Sequence, residues 1–161
     1  MNFYFIDFNN MGFGMSGGTR IYIELARKWK EENHITILGC PEAIDTCQRE
    51  KLIGVGYVQA VPQRVKGNPY SKWIIGVSTL KRAFFGMCWA TFNNKQTTMS
   101  LFSQLQGKEF NDVPSNVPFY YSTSDFLPDW LPAFILKLRF RNRLKWIAGF
   151  FMFAPPPFSK V

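Results

Sequence analysis

A glycine-rich segment near the amino terminus has the residue types and spacing to bind phosphate. It reads NNMGFGMSGGTR over residues 9–20, and Gly12, Gly14 and Gly17 satisfy the G-x-G-x-x-G spacing of dinucleotide-binding turns. An apolar run, NFYFIDF, precedes the segment, and a helical pattern, TRIYIELARKWK, follows it. The order of strand, turn and helix raises the question of whether these glycines hold a pyrophosphate.

The surroundings of the glycines argue against a dinucleotide site. Such a site needs its first glycine close behind the strand and an acidic residue about 20 positions further on for the ribose hydroxyls. Here the segment from Asn9 through Gly14 separates the strand from the helix, and the first acid beyond the second predicted strand is Glu42, across Pro41. A P-loop is excluded as well, because no Gly-Lys-Ser or Gly-Lys-Thr follows the glycines.

The end of the segment, Ser16 to Arg20, leaves two interpretations open. Glycines let a ligand approach the backbone closely, and the amides and dipole of a helix start attract phosphate, so Gly17 and Gly18 could bind an anion. The alternative is a flexible loop whose glycines serve turn geometry. Arg20, on the first helical turn, could face either a cleft or the solvent.

A second polar group, Ser122 to Asp125, follows a predicted strand. Ligands of α/β sheets bind at the carboxyl ends of the strands, so Ser124, Asp125 and Asp129 are candidates to hydrogen-bond the hydroxyls of a sugar. The alternative is that Ser124 or Asp125 caps the helix that begins near Pro128.

The predicted elements alternate between strands and helices along the chain. Strands are predicted over residues 3–8, 34–39, 54–61, 119–123 and 145–153, and helices over 19–32, 41–51, 72–92 and 131–143. Thr19 is the predicted cap of the first helix. Residues 93–118 are expected to form a loop with a short helix near 100–106. This alternation predicts an α/β, Rossmann-like three-layer domain with a mainly parallel sheet.

The bulk composition limits the class of protein and of partner. The 161 residues suit one domain, and a net charge of +8 suits an anionic partner without choosing which one. Three scattered cysteines and one histidine are too few for a Cys/His zinc site, and we expect reduced thiols and no metal. The amino terminus lacks the pattern of a signal peptide, and the longest apolar runs are too short to span a membrane.

The sequence resembles the first half of the family 4 glycosyltransferases, which have the GT-B fold. The passage GGTRIYIELARKWKEENHITILGC (17–40) is similar to their first strand–helix–strand unit, whose motif positions are held here by Gly17-Gly18, Arg20, Glu24-Leu25-Ala26 and Asn33-His34. Residues 120–158 and 78–82 are similar to later parts of the same domain. Residues 41–70 and 93–118 match poorly.

The resemblance implies a sugar transferase and a role for each candidate residue. In the family, an acceptor-side domain and a nucleotide-sugar domain face a cleft, and the Gly-Gly loop reaches the donor diphosphate. Gly17 and Gly18 would then bind the donor diphosphate, whereas Arg20, Ser124, Asp125 and Asp129 would bind a glycan or lipid acceptor. The implied reaction is retaining transfer from a nucleotide sugar, with no other cofactor and no metal.

Two departures from the family pattern bear on activity. The sequence stops at Val161, so we expect residues 1–161 to form one acceptor-side domain that lacks the carboxyl-terminal nucleotide-sugar domain. Many members carry a histidine after the fifth strand, and Trp146 to Pro155 has none. The catalytic residues therefore stay unknown, and the alternative is a non-catalytic Rossmann-like module that binds an anion or a peripheral module that binds a membrane.

Two segments, residues 72–89 and 136–146, combine basic with large apolar side chains. Segments of this type rest on anionic lipid, and the alternative is a core helix with a basic edge that reaches solvent. No nucleic-acid recognition motif is present. These features predict a cytoplasmic protein and leave open whether it is peripheral at the inner face of the membrane.

Overall fold

The computed structural model describes residues 1–12, 16–68, 70–93, 117–124 and 126–149. Its strands are β1 (Asn2–Asp7), β2 (His34–Gly39), β3 (Gly56–Gln59), β4 (Phe119–Ser122) and β5 (Lys145–Ala148). Its helices are α1 (Gly17–Trp29), α2 (Pro41–Arg49), α3 (Lys72–Cys88) and α4 (Leu127–Phe140). A π-helical turn, Trp89–Asn93, extends α3, and a 3-10 turn, Arg141–Arg143, precedes β5.

The five strands form one parallel sheet in the order β3-β2-β1-β4-β5. The strand β1 lies at the centre, where Phe5 is level with Ile37 of β2 and Tyr121 of β4. It reads as a continuous apolar run because helices cover both faces of a parallel sheet. The predicted α/β class and parallel sheet are confirmed.

Alternate residues of β1 enter two separate cores, which makes the domain three-layered. Phe3 and Phe5 pack with the α1 side chains Tyr22, Ile23 and Ala26 on one face of the sheet. On the other face, side chains of β1, of the π-helical turn and of α4 form a core that includes Tyr4, Ile6, Phe8, Trp89, Ala133 and Leu136. Helices α3 and α4 pack against each other within this layer.

Several element ends differ from those predicted. Helix α1 begins at Gly17 and is capped by Ser16, whose Oγ accepts a hydrogen bond from the Thr19 amide at 3.1 Å. The predicted cap at Thr19 is therefore wrong, and Thr19 lies in the first turn. Helix α4 begins at Leu127, four positions before the predicted start, because proline is well suited to a first turn and Pro128 occupies it.

The third strand is shorter than predicted, and two other predictions concern residues outside those that the structure describes. The strand β3 spans Gly56–Gln59 rather than residues 54–61, since the positive φ of Gly54 forms a turn before it. The predicted short helix at 100–106 and the end of the fifth strand beyond residue 149 lie outside the described residues. In the described part of the chain, no helix is long and apolar enough to cross a membrane.

The contact between α3 and α4 depends on a glycine. A Cβ placed on Gly86 would lie 2.8 Å from Pro132 Cγ and 3.0 Å from Phe8 Cδ2, closer than packed carbon atoms allow. Gly76, in the same helix, is exposed and has no atom within 4 Å of such a Cβ. The two glycines form a matched pair that separates packing from helix propensity.

Substitution of these two glycines by alanine is expected to change stability in opposite directions. Gly86→Ala should lower the free energy of unfolding by about 1–3 kcal/mol, because the methyl group overpacks the α3–α4 contact. Gly76→Ala should raise it by up to about 1 kcal/mol, because alanine favours the helix. Urea denaturation measures both, and equal stabilisation by the two substitutions would contradict the proposed close contact.

Candidate functional site

The candidate site lies where the strand order reverses. The chain proceeds outward from β1 through β2 to β3, and then returns to β4 on the other side of β1. Ligands of open parallel sheets bind at the carboxyl ends of strands on either side of such a reversal. We call residues 7–10, residues 122–124 and Asp129, which meet at this edge, the switch-point cluster.

Asp129 joins the two halves of the cluster. Its Oδ1 accepts hydrogen bonds from the backbone amides of Phe8, at 2.6 Å, and Asn9, at 2.9 Å. Its Oδ2 is bonded to the Ser124 hydroxyl, and Ser124 Oγ also accepts from the Phe126 amide. Because Asp129 is only 1% exposed, one buried carboxyl group ties the end of β1 to the start of α4.

Asp7, the last residue of β1, is a second buried carboxyl group in the cluster. Its Oδ2 accepts from the Tyr22 hydroxyl at 2.7 Å and from the Asn10 side-chain amide at 3.3 Å. Desolvation by burial raises the pKa of Asp7, although these hydrogen bonds and the charge of Arg82 oppose that shift. The Tyr22 hydroxyl also lies 3.2 Å from Cys47 Sγ, and burial raises the pKa of that thiol to about 11.

The two carboxyl groups influence each other. Burial, and then the negative charge of Asp7, raise the pKa of Asp129 to about 8, in spite of the hydrogen bonds from Ser124, Phe8 and Asn9. Two buried carboxylates at one strand end repel each other, which favours the protonated form of Asp129. A protonated Asp129 can donate from Oδ2 to Ser124 while Oδ1 still accepts from the backbone.

A buried ion pair lies on the other side of the segment that leaves β1. Arg82 of α3 is fully buried and donates to Glu42 Oε2 of α2 at 2.7 Å. It also donates to the Asn10 carbonyl at 2.7 Å and to the Pro62 carbonyl at 3.4 Å. Glu42 Oε1 accepts from the Arg64 amide at 3.0 Å. The pair therefore connects α2 and α3 to the loop that follows β1, at Asn10, and to the loop that follows β3, at Pro62 and Arg64.

The glycine segment serves both turn geometry and the helix start. Gly12 has a φ of +74°, which favours glycine, and its amide donates to Asn10 Oδ1 at 2.9 Å. Gly17, which is exposed, and Gly18, which is half-buried, are the first two residues of α1. Helix starts leave their first amides without intrahelical partners, and these glycines supply two such donors. Gly14 lies outside the described residues.

The structure brings some of the predicted site residues together and separates others. The side chains of Ser124 and Asp129 are hydrogen-bonded to each other, and both residues belong to the switch-point cluster. Gly17, Gly18 and Arg20 lie on α1, which covers the opposite face of the sheet from α4, and Arg20 is exposed. Asp125 lies outside the described residues.

The sequence analysis missed Asp7, Tyr22, Glu42 and Arg82. A signal existed for Asp7, the only charged residue in the apolar run NFYFIDF, and for Arg82, which precedes the apolar AFFGMCWATF. Charged residues are almost never fully buried unless they are paired. Their partners could not be found from spacing, since Glu42 and Arg82 are far apart in the chain.

A polar cavity of about 670 Å³ opens beside Glu42, on the β3 side of the cluster. Its lining residues are Met11, Gly12, Glu42, Asp45, Gln48, Arg49, Gln63 and Arg64. The cavity does not include the carboxyl end of β4. Across the described residues, no group of three or more His, Cys, Asp or Glu side chains is placed to hold a metal ion.

Comparison of the chain with models of protein families, with curated proteins and with solved structures found no match. The parallel sheet and the switch-point cluster define a Rossmann-like α/β domain.

The titration of Asp129 should appear as a pH dependence of stability. Its pKa of about 8 lies above the value near 3.9 of an unfolded aspartate, so its stabilising contribution is full below pH 4 and is lost as the pH rises towards 8. Asp129→Asn keeps an acceptor for the two amides and a donor for Ser124, but cannot titrate. Between about pH 4 and 8, the wild type should therefore lose stability relative to this variant as the pH rises.

Urea denaturation at a series of pH values measures this difference. Asp129→Ala is the control for the hydrogen bonds, since it cannot titrate either and leaves the Phe8 and Asn9 amides unpaired; its pH profile should be parallel to that of Asp129→Asn and lower by about 1–3 kcal/mol for each amide. Parallel pH profiles for the wild type and Asp129→Asn would contradict the raised pKa.

Loss of the buried cation should be costly. Arg82→Met is expected to lower the free energy of unfolding by about 3–5 kcal/mol, because Glu42 remains buried without its partner. In the double variant Glu42→Gln/Arg82→Met, the amide oxygen still accepts from Arg64 and no charge is left unpaired. Chemical denaturation should show the double variant to be more stable than Arg82→Met alone, and the reverse order would refute the role of the pair.

Proposed function

We propose that this chain is the acceptor-side domain of a GT-B glycosyltransferase, which takes part in sugar transfer from a nucleotide-sugar donor to a glycan or lipid acceptor. The observation that carries the proposal is the reversal of strand order between β1 and β4. The strand at this reversal, β1, is followed in the chain by α1, which begins at Gly17 and Gly18. The resemblance of residues 17–40 and 120–158 to family 4 enzymes supplies the chemistry.

The amides of the Gly17–Gly18 helix start provide the donor-binding part of the proposal. The side chain of Ser16 already accepts from the Thr19 amide, and the first turn of α1 has no acidic residue, so its dipole is not neutralised there. A diphosphate at this position gains both hydrogen bonds and the helix field. No atom lies within 4 Å of a Cβ built on Gly17, so a ligand can approach its backbone.

The acceptor side of the proposal uses the end of β4. Ser124 and the exposed Arg20 offer a hydroxyl and a guanidinium to the hydroxyls or anionic groups of an acceptor, and Asp125 belongs to the same proposal. Asp129 has both oxygens engaged within the protein, so its part in this proposal is to position Ser124. Transfer would also require a domain that binds the nucleotide, and no metal is invoked.

Titration of the ¹⁵N-labelled chain with UDP-glucose and with GDP-mannose tests the diphosphate role. We expect the Gly17 and Gly18 amide resonances to shift with at least one of these donors. Gly17→Asp should reduce the affinity about tenfold or more by charge repulsion, whereas an acid in a first helical turn leaves stability unchanged or slightly raised. Gly76→Ala is the control in an open helical position.

Two results would count against sugar transfer. If neither donor shifts Gly17 or Gly18, the helix start has no diphosphate role. If inorganic phosphate causes the same shifts as the donors and at the same concentration, the site is a general anion site, which favours the non-catalytic module.

A further inference from the structure

Helix α3 has its polarity reversed relative to a usual surface helix. Its buried residues are Ser78, Arg82, Ala83 and Gly86, which are small or polar. Trp73, Leu80 and Phe84 recur at intervals of seven and four and therefore share one side of the helix. They are 79%, 66% and 58% exposed. A helix at a water-facing surface normally turns such an apolar stripe towards the core.

The buried contacts of α3 fix this orientation. Arg82 is held by Glu42 and by the Asn10 carbonyl, and the Ser78 hydroxyl accepts from the Val65 amide at 3.0 Å. Gly86 lies against Pro132 with no space for a side chain. Rotating the helix to bury Trp73 would break the ion pair and this close contact, so the apolar stripe faces outward as part of the fold.

Helix α4, in the same layer, also presents apolar side chains outward. Leu127, Phe134 and Leu138 are spaced by seven and four, and they are all exposed, Leu138 to 60%. The opposite side of α4 carries the buried Asp129 and Leu136. Because α3 and α4 pack together, their outer sides form one layer surface with two apolar stripes. We call this surface the α3–α4 face.

Among the described residues of α3, α4 and the turn after α4, the exposed charges are all positive. No aspartate or glutamate occurs between Glu50 and Glu109, and the acid within α4, Asp129, is buried. The exposed cations are Lys72 and Lys81 on α3 and Arg139, Arg141 and Arg143 at the end of α4. An apolar surface bordered by cations complements a partner that combines negative charge with an apolar interior.

We propose that the α3–α4 face docks on an anionic lipid bilayer, with Trp73, Leu80 and Phe84 entering the headgroup region and the flanking cations binding lipid phosphates. Tryptophan favours this region, and an amphipathic helix lies in it with its axis parallel to the membrane. The proposal goes beyond sugar transfer and does not depend on it, because none of these side chains belongs to the switch-point cluster.

The reversed polarity of α3 disagrees with one of the two interpretations of residues 72–89, a core helix with a basic edge, whereas contact with anionic lipid stays a prediction. A core helix with a basic edge would bury Trp73 and extend Arg82 to the solvent. The structure has the opposite arrangement, with Arg82 fully buried and Trp73 largely exposed.

Vesicle sedimentation of the full chain tests the proposal. The wild type should pellet with vesicles of phosphatidylcholine and phosphatidylglycerol, and binding should fall about tenfold or more with phosphatidylcholine alone or at high salt. Trp73→Ser/Leu80→Ser/Phe84→Ser should reduce binding to the mixed vesicles at least tenfold. Ile53→Ser, which replaces an apolar side chain 73% exposed away from the face, should leave it unchanged.

A second pair of variants tests the charge contribution. Lys81→Glu should weaken binding to the mixed vesicles several-fold, whereas Lys28→Glu, on α1 across the sheet, should have little effect. Because all the replaced side chains are exposed, urea denaturation should give unchanged stability. Failure of the wild type to bind the mixed vesicles, or equal binding by the triple variant, would overturn the proposal.

The competing occupant is a second copy of the chain. Analytical ultracentrifugation without lipid should show a monomer for both the wild type and the triple variant. A wild-type dimer that the triple substitution dissociates would assign the face to self-association and overturn the bilayer proposal.

Discussion

The backbone that leaves β1 is the constraint on which the rest of the domain depends. Its amides and carbonyls are buried beyond the last strand pairing, and a buried backbone group without a partner is costly. Side chains from α3 and α4 satisfy them. Asp129 accepts from the amides of Phe8 and Asn9, and Arg82 donates to the Asn10 carbonyl. The two helices are thereby placed around the strand end.

The use of Asp129 and Arg82 to bind this backbone buries two charged side chains, and a buried charge needs a partner of its own. Arg82 is balanced by Glu42, which also accepts from the Arg64 amide, so the ion pair is closed on both sides. In the described part of the chain, no cation bonds directly to Asp129 or Asp7, and burial raises the pKa of both carboxyl groups, which favours their neutral forms. The burial of Arg82 also turns the polar side of α3 inward. The apolar stripe of α3 is therefore exposed because Arg82, on the other side of the helix, hydrogen-bonds the backbone that follows β1.

The sequence predicted the sheet well because its strands follow a local rule. Residues 3–6 of β1 are apolar without interruption, as a central parallel strand must be, and α1 has an amphipathic pattern whose buried side is Tyr22, Ile23 and Ala26. Helix α3 could not be oriented in the same way. Both of its sides contain large apolar residues, and the choice between them is made by Arg82 and its distant partner Glu42.

The candidate site was predicted in location rather than in detail. Topology places Ser124 and Asp129 near the carboxyl end of β4, and their binding of an acceptor stays a prediction. That Asp129 uses its oxygens to bind the backbone of β1 depends on a pairing of residues far apart in the chain, which no local pattern contains.

The proposed bilayer contact bears on the choice of acceptor, since Trp73 lies in the first turn of α3 and that helix begins at the edge of the sheet where β3 ends. Because the sheet is parallel, this is also the edge at which β4 ends before Ser124. Of the two acceptor classes in the proposed reaction, a lipid-borne acceptor fits this arrangement better, because its sugar-bearing end could reach the site while its chains stay in the membrane.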